Sequence, residues 1–234
     1  MEKTVHPRAW LRGLVAGLAL LMLLASAKGY AGDLSLPSPS RKGTVSVEEA
    51  LSSRRTHRSF QGRALTLTQF SQMLWAAYGV TAASSGRLLK TAPSAGATYP
   101  IDIYAVVGEG GVESATPGVY HYRPESHSVG PVSSGDVRTQ IAAACLRQMW
   151  IAPAPLLIVI TGEYGRCSAK YGPRGVIYTQ IEAGHVGQNV FLQAEALGLK
   201  AGIVGAFEKE DLQKALHIPA THEPLLVMPV GYPG

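Results

Sequence analysis

Cysteine is scarce in this 234-residue chain: Cys145 and Cys167 are the only two. Neither belongs to a redox pair and no local sequence supplies a base, which argues against thiol catalysis. One intrachain bridge or two unpaired thiols remain open, the bridge being worth about 3 kcal/mol if its loop closes without strain. Long basic stretches are missing too. Lys and Arg nowhere form a run interleaved with aromatics, so a nucleic-acid partner is not expected. No period of about 20 to 50 residues recurs, which excludes solenoids and propellers. Glu182-x-x-His185 has the spacing of di-iron bundles, but such sites need the motif twice, and no second Glu-x-x-His occurs. No metal is therefore expected.

What the chain has in quantity is apolar surface: 46% of its residues are hydrophobic, enough for a full core in one domain or two small ones. The longest apolar run, Gly13–Ala27, follows Lys3, Arg8 and Arg12 and meets small residues at Ala25-Ser26-Ala27 and Gly29-Tyr30-Ala31. That is the order of a secretory signal, and the run falls short of the ~20 residues that span a bilayer. Residues 1–31 are therefore expected to be a signal peptide or an N-terminal membrane anchor, and the mature protein to be exported, periplasmic or secreted. No Cys directly follows the run, so a lipid-modified cleavage box is absent, and no Arg-Arg pair precedes it, which favours export of an unfolded chain. Without the ionised residues before Asp33, the formal charge of +5 drops to about +2. Residues 32–43, with Pro37, Pro39 and three serines, read as a linker, leaving 44–234 as the folded domain.

The domain is organised around Tyr171–Leu199, the longest stretch with one helical reading. Ala183, Val186, Val190, Ala194 and Leu197 fall on one stripe at 100° per residue, and Tyr178, Glu182, His185 and Asn189 on another. Ile181, Phe191 and Leu192 fill much of the rest, so this helix is expected to be buried nearly all round. Its polar line then needs partners, from neighbouring backbone or from a second copy of the helix.

Before it, Ser46 and Glu49 form a capping box for a short helix with Val47, Ala50 and Leu51 inward. That helix runs into Arg54, Arg55, Thr56, Arg58 and Ser59, a density of guanidinium and hydroxyl groups suited to an oxyanion or to a solvated basic helix end. Thr66 or Thr68 caps a second helix carrying Phe70, Met73, Leu74, Ala77 and Tyr78 up to Gly79. The small-residue loop Pro93–Pro100 leads into a strand with Ile101, Ile103 and Ala105, and such a loop lets backbone approach a flat ligand. A hairpin around Pro124–His127, a helix over Ile141–Trp150 and a buried strand over Ala154–Thr161 follow. A short strand then ends in a Gly205-Ala206 turn, Lys209–Leu216 forms a helix, and Pro224–Gly231 closes the sheet.

Four blocks in this order resemble the nitroreductase superfamily and, within it, the SagB/ThcOx-like branch of flavin-dependent dehydrogenases. They are Arg54–Phe60, Pro93–Pro100, Tyr171–Leu199, and Val204–Phe207 with Pro229-Val230-Gly231. The resemblance spans about residues 46 to 231. It implies an α+β fold of three layers (α/β/α), a nitroreductase-like architecture with a mixed, mostly antiparallel sheet flanked by helices. It also implies a homodimer sharing two FMN pockets and hydride transfer between flavin N5 and a small organic or peptide-derived substrate. Under it, Arg54, Arg55, Thr56 and Arg58 hold the phosphate, ribityl and pyrimidine edge. Pro93, Ser94, Ala95 and Gly96 line the ring, and Gly205 and Ala206 run near N5. Lys170 and Tyr171 stand where azoline-oxidising members keep a proton-transferring pair. Relatives often carry Asn where this chain has Ala97. The same pocket could serve flavin fragmentation, and the same scaffold could serve as a flavin-free binding module.

Overall fold

The structure is a computed structural model that describes residues 32–84 and 86–234. The expected signal segment, 1–31, lies outside them. Among the described residues no helix is long and apolar enough to cross a membrane.

Seven strands form the central sheet: β1 (Leu34–Ser35), β4 (Ile101–Val107), β5 (Gly118–Arg123), β6 (Ser128–Ser134), β7 (Leu156–Gly162), β8 (Lys200–Ala201) and β9 (Glu223–Gly231). Their order is β1-β6-β5-β4-β7-β9-β8. Among the described residues every ladder is antiparallel, and parallel geometry appears only in isolated bridges, Thr56 to Ala201 and Leu65 to Val112. The sheet is thus more uniformly antiparallel than expected. β9, expected to close the sheet, instead lies inside it between β7 and β8.

The apolar runs explain the centre. β4 and β7 pair from Ile101 opposite Gly162 to Val107 opposite Leu156, and β7 is buried along its whole length. Alternation then separates two cores. Ile101, Ile103, Ala105 and Val107 pack on one face with Phe70, Met73 and Leu74 of α2 (Leu67–Tyr78) and Val186 and Val190 of α5 (Arg174–Ala196). Tyr104 and Val106 pack on the other with Ile141 of α3 (Arg138–Ala144) and Leu212 and Leu216 of α6 (Lys209–Leu216). The sheet between these helices makes the three layers of the expected α+β fold. Each fully buried Leu, Met or Phe contributes about 1.5–3 kcal/mol relative to exposure.

Local signals set the helix starts. α1 (Val47–Ser53) opens on the Ser46–Glu49 capping box, and α2 opens on a second one, with Thr66 Oγ1 accepting the Gln69 N–H at 3.1 Å and the Thr66 N–H donating to Gln69 Oε1 at 3.0 Å. Gly79 ends α2 as expected. In α1, however, only Ala50 is buried; Val47 and Leu51, expected inward, are 63% and 50% exposed. The hairpin of β2 (Val80–Ser84) and β3 (Arg87–Lys90) follows, unmarked by any strong sequence signal. Within the segment read as a linker, β1 pairs with β6, Leu36 joins the core, and the Ser40 N–H donates to Gln72 Oε1 at 2.8 Å.

Two helices differ from expectation. The Ile141–Trp150 helix is shorter: α3 stops at Ala144, Leu146 and Arg147 take positive φ, and a 3-10 turn follows at Met149–Ile151. The Tyr171–Leu199 run splits, because Gly172 (φ 56°) ends α4 (Tyr164–Tyr171) and α5 starts only after Pro173. Nor is α5 buried all round, since Ile177 and Ile181 are 53% and 52% exposed. Cys145 and Cys167 are both free and buried, and burial pushes the Cys145 thiol up to about 12.

Candidate functional site

The residues singled out from sequence gather in two neighbourhoods. In the first, the chain leaving α1 is stitched to β8, with Thr56 bridging Ala201 and the His57 N–H donating to Ala201 O at 2.9 Å. Arg54 lays its guanidinium 5.2 Å from the Phe191 ring centre, and Arg58 lies 5.7 Å from that of Trp150. Glycine is required at Gly202 because a Cβ there would fall 2.6 Å from His57 O and 2.8 Å from the Trp150 ring. Arg55 is turned away: its Nη1 donates to Ser52 O at 3.1 Å and Arg54 O at 2.7 Å. Gly205 and Ala206 are exposed on the loop beyond, where Ala206 O accepts from Gln148 Nε2 at 3.4 Å. Among the described residues, none of the three arginines pairs with a carboxylate. Uncompensated guanidinium groups beside exposed backbone suit an anion such as a phosphate.

In the second neighbourhood, Pro93, Ser94 and Ala95 line a groove of about 300 Å³ with Tyr178, Ile181, Glu182 and His185 of α5. The chain turns at Gly96 in a left-handed conformation, φ 58°. A Cβ there would lie 2.4 Å from Tyr171 Oη and 2.6 Å from Lys170 Nζ, so the pair from the end of α4 converges on this glycine. Tyr171 meets Tyr178 edge-on, with ring centres 5.2 Å apart.

Behind the groove, Tyr78 at the end of α2 donates to Glu182 Oε1 at 2.5 Å. Glu182 is 2% exposed, and its Oε2 has no hydrogen-bond partner among the described residues. Burial holds its carboxyl above the usual range, against the Tyr78 hydrogen bond. Burial and the neighbouring Glu182 charge likewise push the Tyr78 phenol up. Lys90 lies 4.4 Å from the Tyr78 ring centre and 5.0 Å from that of Tyr99, its ammonium disfavoured by burial and supported by Glu125 at 3.4 Å. Glu182 was marked from sequence as a polar residue in need of a partner; Tyr78, 104 positions away, was not. Its place at the last position of an apolar helix stripe disguised it as core.

A third group, missed from sequence, lies under β4. Asp102 Oδ1 meets His121 Nε2 at 2.9 Å, and Asp102 Oδ2 lies 2.8 Å from Arg166 Nη2 in an ion pair whose N–H is not aimed at it. Arg166 also reaches Glu163 at 2.6 Å, and Tyr104 Oη meets His222 Nδ1 at 2.7 Å. Asp102, Glu163 and His222 are close enough together to bind a cation, but the Arg166 guanidinium already sits against both carboxylates. Burial opposes ionisation of Asp102, while the His121 hydrogen bond and Arg166 hold it below the usual range. A charged residue inside the apolar run Ile101–Val107 was the available signal.

Along α5 the two predicted neighbourhoods are offset: Phe191 under Arg54 and Glu182 under the groove are separated by nine residues, about 14 Å of helix rise. The guanidinium groups of the first suit an anion such as a phosphate, and the small-residue loop of the second leaves room for a flat ring.

Comparison with known proteins shows what this chain is similar to. A family model described as "Nitroreductase family" matches residues 51–232. "Putative nitroreductase MJ1384" of Methanocaldococcus jannaschii is 44% identical over 187 residues, 80% of this chain and 91% of that protein. A crystal structure from Ralstonia eutropha that bears the same description matches with a TM-score of 0.76 and 26% identity, over 89% of this chain and 92% of that one. "Trifolitoxin-processing protein TfxB" of Rhizobium leguminosarum bv. trifolii is 32% identical over 123 residues, 50% of this chain and 32% of that protein.

Proposed function

The chain belongs to the nitroreductase family, within which it resembles the SagB-like branch, and on that premise we propose that it is an FMN-dependent oxidoreductase working as a homodimer. Bound FMN would supply two-electron hydride chemistry at N5. The observation that carries the reading is the convergence of Lys170 Nζ and Tyr171 Oη on Gly96, at the lip of the groove lined by Pro93, Ser94 and Ala95.

In this reading Arg54 and Arg58 bind the phosphate by charge-assisted hydrogen bonds, with Thr56 beside them. Aromatic faces hold both guanidinium groups in place, while Arg55 stays on its own backbone. Pro93–Gly96 lie against the ring, and the Gly205-Ala206 backbone runs near N5. Lys170 and Tyr171 hold and move the proton that accompanies each hydride.

The homodimer has its own support. Ile177, Ile181, Val47 and Leu51 are each at least half exposed, and the groove and the arginine segment are offset along α5. A second copy packed on α5 would cover the apolar residues and bring one chain's arginines to the other's groove. The substrate we infer is a small organic or peptide-derived molecule, a reading to which the processing role in TfxB's name lends weight. Export guided by residues 1–31 completes the proposal.

Protein purified from its native compartment should be yellow, with flavin absorption that accompanies a dimer on gel filtration. Colourless protein that takes up no added FMN would sink the assignment. Replacing Lys170 with Ala and Tyr171 with Phe together should keep the flavin spectrum and lower turnover by about a hundredfold or more.

A further inference from the structure

Glu182 is a buried carboxyl that the chemistry above leaves unused. We propose that it is the hydrogen-bond donor of the groove, presenting a proton on Oε2 to a carbonyl or imine acceptor of the heterocycle seated against Pro93–Ala95. The assignment rests on the flavin reading and names the group that fixes the ring's orientation.

Tyr78 decides which oxygen is free. Its Oη donates to Glu182 Oε1 at 2.5 Å. Oε2 is left as the carboxyl oxygen without a partner, in a side chain that lines the groove and is 2% exposed. A buried donor or acceptor left unpaired is costly, which makes Oε2 a position waiting for a ligand atom.

The surroundings favour a proton on it. Lys90 of β3 is the cation that acts on Glu182, but its ammonium rests on the Tyr78 and Tyr99 rings and pairs with Glu125. Tyr178 and His185 share the α5 face of the groove, Ser94 faces it from the loop, and Lys170 and Tyr171 of α4 are aimed at Gly96. With no cation paired to it, the carboxyl is held above its usual range by burial. A neutral acid is a donor; the ionised form is only an acceptor and would repel a carbonyl oxygen.

FMN binding to the full-length protein, followed by quenching of flavin fluorescence across about pH 5 to 9, tests this. Wild type should bind about tenfold more weakly once the carboxyl ionises. Glu182→Gln keeps an N–H donor that does not titrate, so its affinity should stay close to the low-pH wild-type value at every pH. Glu182→Leu alone would strand the Tyr78 hydroxyl, so it is paired with Tyr78→Phe. That double variant should bind about tenfold more weakly at low pH and show no pH slope of this origin. The assignment is overturned if Glu182→Gln keeps the wild-type slope, or if the double variant binds FMN as tightly as wild type at low pH. Absence of FMN binding by wild type at any pH has a different signature: it overturns the flavin reading, and this assignment with it.

Discussion

Two buried carboxylates on opposite faces of one strand end up in opposite states. Asp102, under β4, has His121 at 2.9 Å and Arg166 at 2.8 Å, and it is held ionised. Glu182, above the same strand, has one neutral partner, Tyr78, and burial holds it toward the neutral acid. Burial opposes charge in both; the cation beside Asp102 and the lack of one paired to Glu182 decide the outcome. The Asp102 side is a network with charged partners. The Glu182 side is left incomplete where a ligand could complete it.

The sharpest way to break this contrast is to remove the guanidinium. Arg166→Met should destabilise the protein by about 2 kcal/mol at neutral pH in urea unfolding, less than for a fully buried pair because the Arg166 side chain is 35% exposed. A single substitution at the site's turn comes next. Gly96→Ala keeps a left-handed backbone and pushes its Cβ against Lys170 and Tyr171, so a loss of about 1 kcal/mol is expected.

The pH dependence then separates the two carboxylates by sign. Asp102 has a depressed folded-state pKa, so its stabilisation is present above its unfolded value of 3.8 and is lost as pH falls. Glu182 has a raised one, so its favourable contribution is present below 4.5 and is lost as pH rises through the folded value. Unfolding of Asp102→Asn should therefore be less acid-sensitive than wild type. Glu182→Gln should gain on wild type as pH rises above 4.5, by about 1 kcal/mol. The smallest effect belongs to Arg55→Ala. Its guanidinium is spent on Ser52 and Arg54 carbonyls, so stability should change by less than about 0.5 kcal/mol and FMN affinity hardly at all.

Much of the architecture was legible in local residues. The capping box at Ser46, a threonine cap at Thr66 or Thr68, the stop at Gly79 and the apolar strands announced themselves because caps and period-two patterns act over a few positions. Less legible was which way residues face. Val47 and Leu51 point outward and Ile177 and Ile181 are half exposed, because an apolar face is satisfied equally by a core or by another chain. Of the candidate site, the arginine segment and the small-residue loop stood out by residue type, and the Lys170-Tyr171 pair by the family resemblance alone. That Arg55 turns away and that Lys170 and Tyr171 meet at Gly96 was not legible.

By itself, then, the order of residues determined where most helices begin and which apolar runs become strands, and it marked the segments proposed to hold a phosphate and a flat ring. Only the tertiary structure joined Tyr78 to Glu182 across 104 positions and placed Arg166 against Asp102. The reason is one of range. Caps and periodicity are set by neighbours along the chain, whereas the charge state of a buried carboxyl depends on which distant groups the fold brings within a few ångströms of it.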